Sequence, residues 1–564
     1  MDPITFEVIR SALYAIADEM KVILMRSARS PLLKEAGDLS CALTDAHGRL
    51  VAQGDDMPIH LGVMAFTVKE LLRRVDGATM GPGDFYLTNA LAVGGNHLPD
   101  VKGVAPIVVD GHLVAVAETL AHWADVGGMI PGSYSARATE IYQEGLQIPP
   151  VKVIEGGKIR QEVVDLILAN VRGREQRLGD LMAQYAATQY ADRRVRALVE
   201  AFGRDTVLEA MEASFDYSER RMRQAIGTIP DGVYQGEDFM DDDGVGRRPY
   251  RVAVTVTVAG GEITYDFAGT DPQAGGPINT TYFITCSAAY CATRNLTDPS
   301  IPANEGCYRP IRVLVPEGTL LNPRHPAPVV AGNHETSERV IDVIFRALAD
   351  AIPTRVTAAC FGSAFVSILS GLDRRRGSAF TFYEIGPGGY GGRPSRDGTN
   401  GTRARIGNTM NTPAEIVEKT YPVRVVEYGL IPDSGGSGRF RGGLGVRRAY
   451  KVLVPAIASV MGERCRFRPY GLFGGDPGRA GRVQILTPGG MVRRSLRGKE
   501  VAKLKAGEVL VVETAGGGGY GRCEERSPAA VEADIADGYV TLEETVRHGV
   551  PANLVTTDGG VERS

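Results

Sequence analysis

The residues most able to do chemistry are His97, Asp100 and His122. The chain has only eight histidines: His47, His60, His97, His112, His122, His325, His334 and His548. Two of them flank a predicted hairpin. Pro106–Val109 and Leu113–Leu120 are apolar runs separated by Asp110-Gly111, a dipeptide that favours a tight two-residue turn. Pairing through such a turn sets Pro99 opposite His122, with His97 and Asp100 on either side of it. Two imidazoles and a carboxylate at one end of a hairpin suit a divalent cation such as Zn²⁺, Mn²⁺ or Fe²⁺. Three protein ligands leave coordination positions open, the mark of a catalytic site. Asp125, three residues after His122, and Glu118 are candidates for a further ligand, a supporting group or a general base. The plainer reading is that histidines in apolar strands are hydrogen-bonded core residues. His112 beside the turn, His47 and His548 are expected in solvent. His325 and His334 fall in a loop-like stretch.

The elements that must position these groups follow from periodicity. Pro3–Ser27 reads as an amphipathic helix, with Ile9, Leu13, Ile16 and Met20 at helical spacing. Leu39–Leu43 and Gly48–Ala52 read as short strands, and Leu61–Val75 as a helix. Residues 162–225 read as a long antiparallel helix pair on the surface. Residues 229–320 turn to β character, with a hairpin at Gly260-Gly261. Val340–Ala351 reads in part as a helix, residues 358–369 as a strand or helix, residues 446–512 as strands, and Pro528–His548 as a small helical piece. No βαβ rhythm is present. The expectation is an α+β fold, a large mixed body with mainly antiparallel sheets, flanking helices and Gly-rich loops. Its regions would be 1–225 with the metal site, 226–525 rich in strand and glycine, and 526–564 with a C-terminal helix and mobile tail.

Bulk properties narrow the function. The chain has 564 residues, a formal net charge of −4 and a pI near 6.2, which disfavours nucleic acid and anionic membrane partners. No apolar run reaches the roughly 18 residues of a membrane span. Seven cysteines without a CxxC pair point to a reducing cytoplasm. Glycine is abundant, with 70 residues. Residues 384–392 and 515–521 nevertheless fit neither a phosphate-binding loop nor a dinucleotide fingerprint. They read as packed turns, and no ATP site is expected on this chain.

Several segments together resemble the hydantoinase B/oxoprolinase family. They are Lys34–Leu43, Met57–Gly62, Gly94–Asp100, Ala121–Gly128, Gly332–Ser337, Asp433–Gly443 and Gly517–Gly521. The resemblance implies a subunit of an ATP-dependent cyclic-amide hydrolase of hydantoinase, oxoprolinase or lactamase type. It implies a metal on His97, Asp100 and His122, with Asp38 as a further ligand, and Asp125 or Asp38 orienting or deprotonating water. It further implies a hydantoinase A-type partner carrying ATP and Mg²⁺, in an (AB)2 heterotetramer. An ATP-dependent ketone carboxylase component and a non-catalytic scaffold are the rival expectations. One departure stands out. Asn89-Ala90-Leu91 replaces the family's frequent Asn-Asp-Pro, which removes an acid at position 90.

Overall fold

The computed structural model describes residues 1–547 apart from Asp55, Leu61, Gly77 and Ala78. His548 and the expected mobile tail lie outside the described residues. Helix α1 (Pro3–Ser27) opens where the Asp2 side chain accepts from the Ile4 and Thr5 N–H groups, satisfying donors that a helix start leaves free. It is followed by α2 (Pro31–Lys34) and α3 (Val63–Arg74).

The first sheet holds β1 (Leu39–Asp45), β2 (Leu50–Gln53), β3 (Phe85–Thr88), β4 (Asp100–Val109), β5 (His112–His122), β6 (Val151–Glu155) and β7 (Lys158–Ile159). Its order is β2-β1-β5-β4-β3-β6-β7, all antiparallel. One face carries Leu39, Cys41, Val101, Ala105 and Ala117 into a core shared with α1. The opposite face carries Ala42 and Leu120 into a second core, and this face bears the candidate site.

Helices α4 (Gln161–Ala169), α5 (Arg174–Phe202) and α6 (Arg204–Ile226) follow. The expected surface pair is different in the structure. α5 lies against α1, β4 and β5 and has only slight contact with α6. Its buried Ala183, Ala187 and Ala191 allow close approach to the sheet, and Gln184 donates to the Val101 carbonyl at 2.9 Å.

A second sheet comprises β8 (Gly232–Met240), β9 (Tyr250–Ala259), β10 (Glu262–Asp266) and β11 (Ile311–Leu314). Only the β10–β11 pair is parallel among the described ladders. Within this stretch, read from sequence as β, the structure has α7 (Tyr282–Leu296). Its β-branched and aromatic residues imitate a strand, and burial on nearly all sides removes the amphipathic signal. After α8 (Glu305–Tyr308), helix α9 (Ser337–Ala347) packs on β8 and β9.

The C-terminal part is a two-sheet sandwich, with β12 (Val366–Asp373), β13 (Ser378–Glu384), α10 (Ala414–Thr420), β14 (Val423–Leu430), β15 (Val446–Val452), β16 (Ala456–Met461), β17 (Arg482–Leu486), β18 (Val492–Leu496), β19 (Lys499–Leu504) and β20 (Val509–Glu513). The sheets run β13-β12-β16-β19 and β14-β15-β20-β17-β18 around Leu369, Phe382, Tyr450, Val460, Ile485 and Leu510. Helices α11 (Pro528–Ala536) and α12 (Leu542–Arg547) close the described chain.

The glycine stretches are not turns. Residues 515–521 run through a bundle of extended segments with no sheet ladder. The N–H groups of Gly516 and Gly519 donate to Arg479 and Asp476, and those of Gly517 and Tyr520 to Gly443 and Phe440. The carbonyls of Ala515 and Gly518 accept from Gly389 and Gly392. Each neighbour is met every third residue, the periodicity of a polyproline-II strand with about three residues per turn. Polar backbone, not apolar side chain, fills this interior.

Candidate metal centre

The hairpin register differs by one from that of a plain two-residue turn. Val109 pairs with His112 and Val108 with Leu113, but Ile107 pairs with Ala115. The bulge inserts one residue on β5, and Asp100 consequently stands directly opposite His122. Opposed residues share a sheet face, so carboxylate and imidazole project to the same side. The ladder runs through Pro106, beyond the last β3 pair at Val104. His97 sits in the turn leading into β4, where the Asp100 N–H donates to its carbonyl at 3.1 Å. One ligand atom from each of His97, Asp100 and His122 lies within 4.8 Å of the others. All three side chains are buried.

Surrounding groups orient the triad. The Val330 carbonyl lies 2.9 Å from His97 Nδ1. A carbonyl only accepts, so Nδ1 carries a proton. Nε2 lies 3.1 Å from Asp100 Oδ2. Tyr134 Oη is 3.2 Å from His97 Nδ1 and 3.1 Å from His122 Nε2. His60 Nε2 lies 3.8 Å from Asp100 Oδ2, while its Nδ1 meets Ser40 Oγ at 2.7 Å. The Tyr383 ring packs on His122 at 5.0 Å, and the His334 ring stacks on Tyr134 at 5.5 Å. Asn333 Nδ2 approaches both His97 and Asp100.

Four atoms around this triad are buried with no partner among the described residues: Asp100 Oδ1, His122 Nδ1, Asn333 Oδ1 and His334 Nε2. Buried polar atoms are rarely left unpaired. Four at one triad of hard and borderline donors fit a divalent cation and its waters. Electrostatics separate the histidines. Burial pushes His122 down to about 3 and His60 to about 4, which keeps both imidazoles neutral, the form that ligates metal. His97 is held above its ordinary value, because burial is outweighed by the Asp100 carboxylate, so a cation there would displace its proton. Burial works against the Asp100 carboxylate, but His97 and the hydrogen bond to it outweigh burial and hold it ionised.

The other predicted residues divide. Asp38 is buried beside the triad, outside the 4.8 Å cluster, and its carbonyl accepts from the His122 N–H at 3.2 Å. Burial, then the charge of Asp100, push its carboxyl up to about 7. Asp125 is engaged elsewhere. Its oxygens accept from the Gly127, Gly132 and Arg172 N–H groups and from the Arg172 guanidinium, so it shapes the following loop. Glu118 shares the face of His122 and faces Val104. Thr67 and the Lys102 charge lie near its carboxyl, and Lys102 donates to Thr67 Oγ1 and the Gly94 carbonyl. His47, His112 and His325 are exposed. Tyr134 and Tyr383 carried no signal in the sequence, because their roles come from loops and strands distant in the chain. His60, Asn333 and His334 lay only within the family-like segments.

A stability consequence follows from the buried carboxyls. Burial raises Asp38 to about 7 and Glu118 and Glu335 to about 8. Each is protonated in the fold below that value and ionised in the unfolded chain above its ordinary one. Their contribution is present at low pH and is lost as pH rises through 7 to 8, by up to about 1.4 kcal/mol per unit and group. Chelator-treated protein should therefore show a falling urea midpoint between pH 6 and about 8. A flat or rising midpoint would contradict the buried neutral carboxyls.

Comparison with known proteins matches the chain to one family. The family model described as hydantoinase B/oxoprolinase matches residues 2–523. A putative B-type subunit of a D-/L-hydantoinase from Pseudomonas sp. is 33% identical over 98% of this chain and 95% of its own length. The beta chain of caprolactamase from Pseudomonas jessenii is 32% identical over 96% and 95%. The crystal structure of ATP-dependent caprolactamase from that organism superposes with TM-score 0.89 at 31% identity, covering 97% of this chain and 95% of that one. An acetone carboxylase structure shares the fold, at TM-score 0.87 and 19% identity over 97% and 79%. The chain belongs to the hydantoinase B/oxoprolinase family.

Proposed function

We propose that this chain is the metal-bearing subunit of an ATP-dependent cyclic-amide hydrolase. The observation that carries the reading is the buried triad ringed by unpartnered polar atoms, within a chain similar along nearly its whole length to hydantoinase and caprolactamase subunits. Ring amides are poor electrophiles. Phosphorylation of the amide oxygen activates the carbon toward water, the C–N bond of the adduct breaks as the ring nitrogen takes a proton, and a second water releases phosphate from the acyl phosphate so formed. In this reading an A-type partner with ATP and Mg²⁺ performs that step within an (AB)2 assembly. The divalent ion, Zn²⁺ or Mn²⁺, supplies Lewis acidity and lowers the pKa of bound water.

The chain's own residues do the rest. His97, Asp100 and His122 would hold the ion. Asp38, with its carboxyl near 7, takes a proton from water at neutral pH. The Tyr134 hydroxyl, already between His97 and His122, donates toward negative charge developing on the carbonyl oxygen. His60 steadies Asp100.

Asp38→Asn should keep its metal and lose about 100-fold or more in kcat. Unchanged kcat would remove Asp38 from proton transfer. The reading as a whole is tested by co-purifying the chain with its partner, measuring metal content, and screening ATP hydrolysis with hydantoins, oxoproline, lactams and ketones. ATP-coupled ring opening by a metal-loaded complex is expected. Bicarbonate-dependent turnover of ketones would replace it with carboxylation, and a metal-free complex would leave the chain a scaffold.

A further inference from the structure

Arg403 differs from its neighbouring arginines. Arg405 is ion-paired with Asp342 and Arg448 with Glu384, but Arg403 forms no ion pair among the described residues. Its Nη1 donates to the Gly386 carbonyl at 2.7 Å and approaches that of Ala364 at 3.5 Å. Its Nε is buried without a partner, and among the described residues Nη2 meets no acceptor. The Nε–Nη2 edge, which can grip two oxygens at once, is unused by the fold.

The side chain lies beside the candidate metal centre. The Ala364 N–H donates to Glu335 Oε1, which lies 2.9 Å from His334 Nδ1, and the His334 ring stacks on Tyr134. The segment that follows Arg403 borders the centre on two more sides. The Ile406 carbonyl accepts from the Ile59 N–H, next to His60, and the Met410 N–H donates to the Ala36 carbonyl, two residues before Asp38. The Arg403 charge acts on Asp38, His334 and Tyr383.

Two further observations point to an anion. Burial disfavours the Arg403 charge, and Glu338 and Glu335 offset this only in part. Burial raises both of those carboxyls to about 8, so at neutral pH they are mostly protonated and leave the guanidinium uncompensated, a costly state away from water. Residue 407 is a glycine, and a Cβ there would stand 2.8 Å from Nη2 and 3.1 Å from Nε. Any larger residue would press on the free edge.

We propose that the Nε–Nη2 edge of Arg403 binds a compact oxyanion of the substrate, either a carboxylate carried by the ring or the phosphoryl group installed on it. Both sources rest on the hydrolase reading, whereas oxyanion binding by the chain does not.

The test is calorimetric titration of the purified chain, metal-loaded and chelator-treated, with inorganic phosphate, oxoproline and uncharged pyrrolidinone. Saturable binding of phosphate or oxoproline, but not of pyrrolidinone, is expected in both forms. Arg403→Lys keeps a charge and a donor for Gly386 but loses the two-pronged edge, and should weaken binding at least about tenfold. Gly407→Ala keeps Arg403 and displaces only the end of a flexible side chain. It should keep the wild-type urea midpoint and bind at least about threefold more weakly. In the complete complex, Arg403→Lys should raise KM for oxoproline about tenfold and leave pyrrolidinone unaffected if the edge holds a ring carboxylate. It should instead raise the ATP consumed per ring opened for both rings if the edge holds the phosphoryl group. A complex that opens neither ring counts against the hydrolase reading alone. Absent binding, binding lost on chelation, or equal affinity in Arg403→Lys and wild type overturns the proposal.

Discussion

Replacing His97 or His122 with alanine should strip the bound divalent ion and abolish turnover while leaving the chain folded. Loss of a single outer contact to a metal ligand already costs about 10- to 100-fold in affinity. Loss of one of three protein ligands should cost at least about a thousandfold. Folding should survive, since each variant removes one buried imidazole, that of His122 with its Nδ1 unpartnered among the described residues, and leaves the hairpin backbone intact. Trp123, the sole tryptophan, is buried directly after His122, and its emission reports whether the site region stays packed. Exposed His47→Ala is the control. Full metal content with full activity in either site variant would sink the assignment of the triad.

Gly517→Ala should be among the most damaging single substitutions in the molecule. A Cβ there would stand 2.1 Å from the Tyr390 carbonyl oxygen, and at Gly518 2.0 Å from that of Tyr470. These obstacles are backbone atoms hydrogen-bonded in their own right, so no side chain can swing aside. Backbone displacement must break bonds that Gly517 shares with Gly436 and Gly443, and the cost should reach about 4 kcal/mol or more. Gly429→Ala, where a Cβ meets nothing within 4 Å, should be nearly neutral. Denaturant melts of the two variants decide the matter, and similar midpoints would refute the crowded backbone described here.

The hairpin was legible because Asp110-Gly111 and its flanking apolar runs carry a short-range signal. Its register was legible only to within one residue, since the bulge at Val114 depends on how β5 meets β1 as well as β4. The cluster of His97, Asp100 and His122 could be found from spacing, but Tyr134, Asn333, His334 and Tyr383 reach it from separate loops and strands, and long-range packing leaves no local trace. Helix α7 was hidden by its small and β-branched residues. The glycine bundle was misread because turn chemistry is the usual local meaning of glycine, and extended strands packed backbone to backbone are specified by mutual fit. Asp125 looked catalytic by proximity in sequence, yet its carboxylate is saturated by its own loop and Arg172.

That bundle gives part of the molecule an unusual thermal character. Exposing apolar surface on unfolding adds about 0.45 cal/K/mol per Å² to the heat capacity, whereas exposing polar surface subtracts about 0.26. An interior of peptide groups around residues 515–521 therefore contributes little or negatively, while the aliphatic sandwich beside it contributes positively. The two should respond to temperature in opposite senses. Cooling weakens the sandwich first, and the glycine bundle, held by hydrogen-bond enthalpy, keeps its grip in the cold.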